Sequence, residues 1–245
     1  RNITQTSSVK DIAVIEVPAN KSFTLTDCHT DDNNGGETRT MGSVKHEYAN
    51  SQSGRGVVVK GNFTLYNGGI TTNNCSTNYP PERLYSGAGV YVDGGGSFTM
   101  YGGKVAENIA MNGAGVYVNK DGSAAMYGGK ITGNKVGEGY GAGVYVGGGT
   151  FDMYGGSISG NNQLGWNYNG DGGGVYINSG SFNLHDGTIT GNNGYWGGGV
   201  NLYNGAFNME GGKISNNTAG RNGTGGGVYV YNGTFTMTGG EISGN

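Results

Sequence analysis

A unit reading Gly-Ala/Gly-Gly-Val-Tyr-Val, then Phe-x-Met-x-Gly-Gly, then Ile-x-Gly-Asn recurs along most of this chain. It starts at Gly87, Gly113, Gly141, Gly172, Gly197 and Gly225, successive copies lying 25 to 31 residues apart, and a degenerate copy starts near Gly54. A fixed period of about 20 to 50 residues marks a solenoid or array, in which each unit buries its apolar face only against its neighbours. The architecture follows from that period before any single residue is interpreted.

Within the unit that starts at Gly141, Val144-Tyr145-Val146 and Phe151-Asp152-Met153 alternate at period two, the spacing of strands. Gly147-Gly148-Gly149 and Gly155-Gly156 supply corners where positive φ is needed. Ile158 centres a third short strand that ends at Gly160-Asn161. Three short strands, two glycine corners and a third corner of variable length make one rung of a parallel β-helix. The expectation is an all-β solenoid of about seven to eight coils with no helix, its rungs stacked at about 4.8 Å. The inward set is Val90, Val92, Phe98, Met100 and Val105 in one coil, and Val175, Ile177, Phe182, Leu184 and Ile189 in another. Asn73, Asn108, Asn134, Asn161, Asn192, Asn217 and Asn245 close successive third strands. They are expected to form an internal ladder of amide hydrogen bonds at a bend.

The 55 glycines among 245 residues would suggest low complexity if they lacked a period, but they fall at fixed offsets from apolar residues. A net charge of −3 with 13% charged residues indicates no basic surface for nucleic acid. No apolar run reaches the roughly 20 residues needed to span a bilayer, and Arg1-Asn2-Ile3-Thr4 does not open a signal peptide. The chain stops at a repeat end without a polar capping sequence, which predicts a segment of a longer protein. Residues 54–245 form the repeat domain, and 1–53 a cap or first coil, with Ile12–Val17 and Phe23–Leu25 as its strands and a polar insertion over 29–53. His29, Asp31, Asp32, His46 and Glu47 in that insertion lack metal-ligand spacing, so no metal or other cofactor is expected. Cys28 and Cys75 leave a disulfide and two separate thiols equally open.

The Gly-Gly-Gly-Val-Tyr and Ile-x-Gly-Asn units over about residues 54–245 resemble the repeats of bacterial surface adhesins with right-handed, pectate-lyase-like parallel β-helix regions. They are also similar to the Gly-Gly-Ala-Ile and Phe-x-x-Asn repeats of chlamydial polymorphic outer-membrane proteins. The resemblance implies a right-handed β-helix, an extracellular, cell-surface or secreted location, and attachment to a glycan or a host or cell-surface protein. The same scaffold also carries polysaccharide lyases and hydrolases, so the resemblance bears on fold more than on activity.

Candidate binding residues lie where the repeat leaves the sequence free. The third corner varies in length and holds both tryptophans, so Tyr140, Trp166, Asn167, Tyr168, Tyr195 and Trp196 are expected to cluster on successive rungs. Flat aromatic faces beside amides and carboxylates suit sugar rings. Two tyrosine columns, Tyr91, Tyr117, Tyr145, Tyr176 and Tyr229 with Asn201 interrupting, and Tyr66, Tyr101, Tyr127 and Tyr154, read first as inter-rung stacks. Acids are too scattered for a catalytic constellation; the best local set is His185, Asp186 and Glu210, with His185 and Glu210 in one column. The expectation is a non-enzymatic adhesin segment, with a polysaccharide lyase or hydrolase, and a passive stalk, as alternatives.

Overall fold

The computed structural model describes residues 3–6, 13–26, 43–47, 54–75, 86–137, 139–164 and 170–245. It is an all-β parallel solenoid, and no helix occurs among these residues. The coil beginning at Gly113 shows how a repeat is laid out. Strands Val116–Val118, Ser123–Met126 and Lys130–Thr132 form three faces, and the two-residue strand Lys135–Val136 crosses the third corner. Each pairs in parallel with its counterpart one repeat away: Val116 opposite Val144, Ala124 opposite Phe151, Ile131 opposite Ile158 and Lys135 opposite Asn162. The complete motif makes about six turns, slightly fewer than expected.

Three local expectations change. A coil has four strands, because the residues after Asn108, Asn134, Asn161, Asn192 and Asn217 pair into a separate five-stranded sheet of two-residue strands. The first glycine corner does not always break the strand: Val144–Met153 and Val175–Leu184 each run through it as ten residues, with the register irregular around Gly147. Finally, the polar insertion is not all loop. Ser43–Glu47 pairs with Gly69–Thr71 on one side and Ile3–Thr6 on the other, and Val44 is fully buried. Ile15–Val17 and Ser22–Leu25 likewise pair with Val57–Val59 and Asn62–Leu65. Cys75 is buried, while Cys28, His29, Asp31 and Asp32 lie outside the described residues.

The glycines of the opening triplet have different jobs. Gly141 has φ +63°, a left-handed conformation that suits a residue without Cβ. Gly143 is required for space: a Cβ there would sit 2.5 Å from the Gly174 carbonyl oxygen and 2.9 Å from Asn161 Nδ2. The middle position is Ala in the coils of Ala88, Ala114 and Ala142, which pack with Cys75, Ala110 and Val136 in a small satellite core under the third corner. In the coil of Gly173 the backbone of Asn193 comes within 2.3 Å of where a Cβ would stand, so Gly replaces Ala.

The main core is a row of columns. Phe23, Phe63 and Phe98 stack at 5.9 and 5.4 Å; Ala124 interrupts; Phe151 and Phe182 resume at 5.2 Å. Every inward residue expected from the pattern is buried. The asparagine ladder is continuous as well. Asn161 Nδ2 donates to Asn192 Oδ1 and to the Ile131 carbonyl, both at 3.0 Å, while its Oδ1 accepts from Asn134 N and Nδ2, also at 3.0 Å. Each amide thus satisfies buried groups on both neighbouring rungs, where an unpaired one costs about 1–3 kcal/mol. Asn161→Ala leaves Asn134 N–H, Asn134 Nδ2 and the Ile131 carbonyl short of a partner, so a loss of about 3 kcal/mol or more is expected. Urea unfolding followed by far-UV circular dichroism measures it, and a loss below about 1 kcal/mol would contradict this role of the ladder.

Candidate functional site

Stacking between rungs decides which aromatic faces remain open. Tyr91, Tyr117, Tyr145 and Tyr176 pack ring on ring at 4.7 to 5.4 Å, and the Arg55 guanidinium covers the Tyr91 end at 4.3 Å. Tyr145 and Tyr176 are buried, and burial pushes both phenols well above the usual tyrosine range. The faces of this column are occupied by one another, so the column serves as an outer structural stack.

The third corner lies beside it. Gly141 N–H donates to the Asp171 carbonyl and Gly172 N–H to the Trp196 carbonyl, both at 2.9 Å, which places Tyr140, Asp171 and Trp196 at matching positions on three consecutive rungs. The expected aromatic cluster is therefore divided. Tyr140 folds back onto Tyr176, centroids 4.7 Å apart, and closes the edge of the tyrosine column. Trp196 stays 39% exposed two rungs on, roughly 10 Å away at the spacing of strands. Tyr195 tilts against it at 49°, and Tyr229 of the following rung supports one face at 5.8 Å. Trp166, Asn167 and Tyr168 lie outside the described residues.

Two polar residues complete this corner, and neither stood out in the sequence as part of it. Asp171 is only 8% exposed, and burial raises its carboxyl to about 6, opposed by a hydrogen bond from the Trp196 backbone N–H. Asn201 replaces the tyrosine that the repeat puts at this position, which leaves room for the Trp196 ring against Tyr229. Its Nδ2 donates to the Trp196 carbonyl at 3.3 Å, while its buried Oδ1 has no partner among the described residues. The signal for Asn201 was legible as the one break in the tyrosine column. Asp171 carried none, because its burial depends on the rungs on both sides.

The acid–base set is rearranged. His185 Nδ1 lies 2.8 Å from Glu210 Oε2, so their shared column does bring them together. Asp186 turns away, accepting from Gly187 N–H at 2.7 Å. Asp152 takes its place, 3.6 Å from His185 Nε2, and is held by Asn183 Nδ2 at 2.7 Å. The His185 ring stacks flat on Tyr154 at 4.4 Å. This makes His185 the last ring of the second aromatic column, bracketed by two carboxylates. Among the described residues no group of three or more His, Cys, Asp or Glu is placed to hold a metal ion. Comparison with protein families, curated proteins and solved structures finds no match to this chain.

Asp171 has a pH consequence of definite sign. Its carboxyl titrates at about 6 when folded, against about 3.9 in an unfolded chain, so the folded state holds the proton more tightly. Its ionisation therefore costs stability progressively as pH rises from about 4 to 6, and fully above that. Asp171→Asn should be more stable than the wild type at pH 7.5 and lose that advantage by pH 4. Thermal melts of both proteins across this range test it; an unchanged difference between them would show that Asp171 titrates normally.

Proposed function

We propose that this solenoid is a non-catalytic binding segment of a cell-surface adhesin, and that it engages glycans at the third corner around Trp196. The observation that carries the reading is the grouping at that corner: an exposed indole, a buried carboxyl that titrates at about 6, and an amide oxygen without a partner among the described residues, on adjoining rungs. Carbohydrate recognition needs such a mixture, an aromatic face for C–H groups and fixed polar atoms for hydroxyls. The buried tyrosine column offers no comparable platform, because its ring faces are spent on each other.

A rigid solenoid fits this role physically. Parallel rungs set corner side chains at a fixed repeat, so one binding corner can follow an extended polymer without reorganising the scaffold. On this reading the segment works outside the cell, its partner is a glycan or a glycosylated surface protein, and no cofactor is needed.

Binding to an array of plant, microbial and mucosal glycans, compared for wild type and Trp196→Ala, tests the assignment. Loss of an aromatic platform should weaken binding roughly tenfold or more, on the scale of interface hot spots. Tyr231→Ala, which removes a still more exposed aromatic elsewhere on the surface, should leave binding intact. Equal binding by wild type and Trp196→Ala would remove Trp196 from the site.

A further inference from the structure

The second tyrosine column differs from the first in being open to solvent. Tyr66, Tyr101, Tyr127 and Tyr154 stack at 4.8, 5.0 and 4.8 Å, with neighbouring planes within 15° of parallel. Each is 42 to 47% exposed. Their faces cover one another, so what the column shows to water is ring edge, where the hydroxyl and the carbons beside it lie. The backbone fixes the spacing: the N–H groups of Tyr101, Tyr127 and Tyr154 donate to the carbonyls of Leu65, Met100 and Met126, each at 2.8 Å. Tyr203 and Tyr231, both exposed, form one further pair of this kind, 4.9 Å apart and 1° from parallel. The column from Tyr91 to Tyr176 is stacked but enclosed, and burial raises the phenol pKa of Tyr117, Tyr145 and Tyr176.

Stacked, exposed phenols have a particular reaction open to them. A one-electron oxidant takes an electron and the hydroxyl proton from a tyrosine, leaving a radical shared between the oxygen and the two ring carbons beside it. Two such radicals join through those carbons. Each carbon then gives up its hydrogen to the ring oxygen, which restores two phenols joined by one new C–C bond. Two hydrogen atoms leave in all, and they reduce one hydrogen peroxide to two waters when a peroxidase supplies the oxidation. Free tyrosyl radicals must meet by diffusion, whereas a neighbour held one rung away replaces the encounter by a local motion. Edge-exposed rings have room to tilt toward each other; rings close-packed on every side do not.

We propose that the exposed tyrosine column is a site of oxidative cross-linking, at which hydrogen peroxide and a peroxidase join neighbouring rungs through dityrosine. Successive tyrosines of the column are 26 to 35 positions apart in sequence, so each bond ties one coil to the next and closes a long loop. A tie of that kind restricts the unfolded chain as a disulfide does, and it uses no cysteine. The site is separate from the Trp196 corner and does not rest on glycan binding.

Treatment of the intact chain with hydrogen peroxide and a haem peroxidase, followed by denaturation and tryptic mapping, tests the proposal. Dityrosine fluorescence should appear in monomeric protein, with a yield per chain that dilution leaves unchanged. Trypsin separates the two columns, because residues 121–130 carry Tyr127 as their only tyrosine and residues 105–120 carry only Tyr117. Cross-linked peptides should contain 121–130 and not 105–120. Tyr127→Phe keeps the stacked ring without its phenol, and circular dichroism should match the wild type. Its dityrosine yield should fall roughly twofold, since two of the four exposed tyrosine contacts among the described residues are lost. Trp196→Ala should give the same links as the wild type, which separates this result from the glycan reading. Dityrosine confined to oligomers, links at 105–120 in place of 121–130, or an undiminished yield from Tyr127→Phe overturns the site.

Discussion

Registry between rungs is the constraint on which this molecule depends. A coil of about 25 to 31 residues cannot bury its own apolar side chains; it encloses a core only when the next coil lies on it at the spacing of hydrogen-bonded strands. The side chains at one position in the repeat then become neighbours, and each position must be chosen to stack on itself. Phenylalanines do so inside, tyrosines outside and asparagines at the bend. The asparagine ladder is the most exacting of these, because each amide donates to both neighbouring rungs and accepts from the preceding one. A slip of one residue would bury unpaired amides along the full length of the column.

The same registry removes much of the chain's aromatic surface from use. Stacked rings cover each other's faces, so a count of tyrosines overstates the platforms available to a sugar. What stays open to solvent lies where the repeat pattern changes or where the column edge is exposed. At the third corner, replacement of a column tyrosine by Asn201 admits Trp196 and leaves an amide oxygen without a partner among the described residues. On the second face, the column of Tyr66 to Tyr154 shows its edges instead of its faces. The two regions suit different chemistry for that reason.

Most of the scaffold was legible in the sequence: the inward valines, Phe182 and Met100, the asparagine column and both tyrosine columns all occupy the places their spacing implied. The two-residue strands at the third corner were not, since Lys135-Val136 or Asn193-Gly194 is too short to show a period. Nor was Ser43–Glu47, whose mixed polar sequence pairs only because Gly69–Thr71 offers it an edge. The site was legible in part. The spacing did mark Tyr140 and Trp196 as corner residues, but it could not show Tyr140 turning back onto Tyr176.

The amino-acid sequence by itself determined the solenoid, because a periodic pattern of inward residues, glycines and asparagines has a single way of being buried and hydrogen-bonded together. Which residues keep an open aromatic face or a buried polar group was left to the tertiary structure. Exposure, ring contacts and the raised pKa of Asp171 arise between rungs, from groups some 25 or more residues apart, and local spacing does not encode them. His185 shows the same division. Its column was readable from the repeat, yet only the folded coils put Asp152 beside it in place of Asp186.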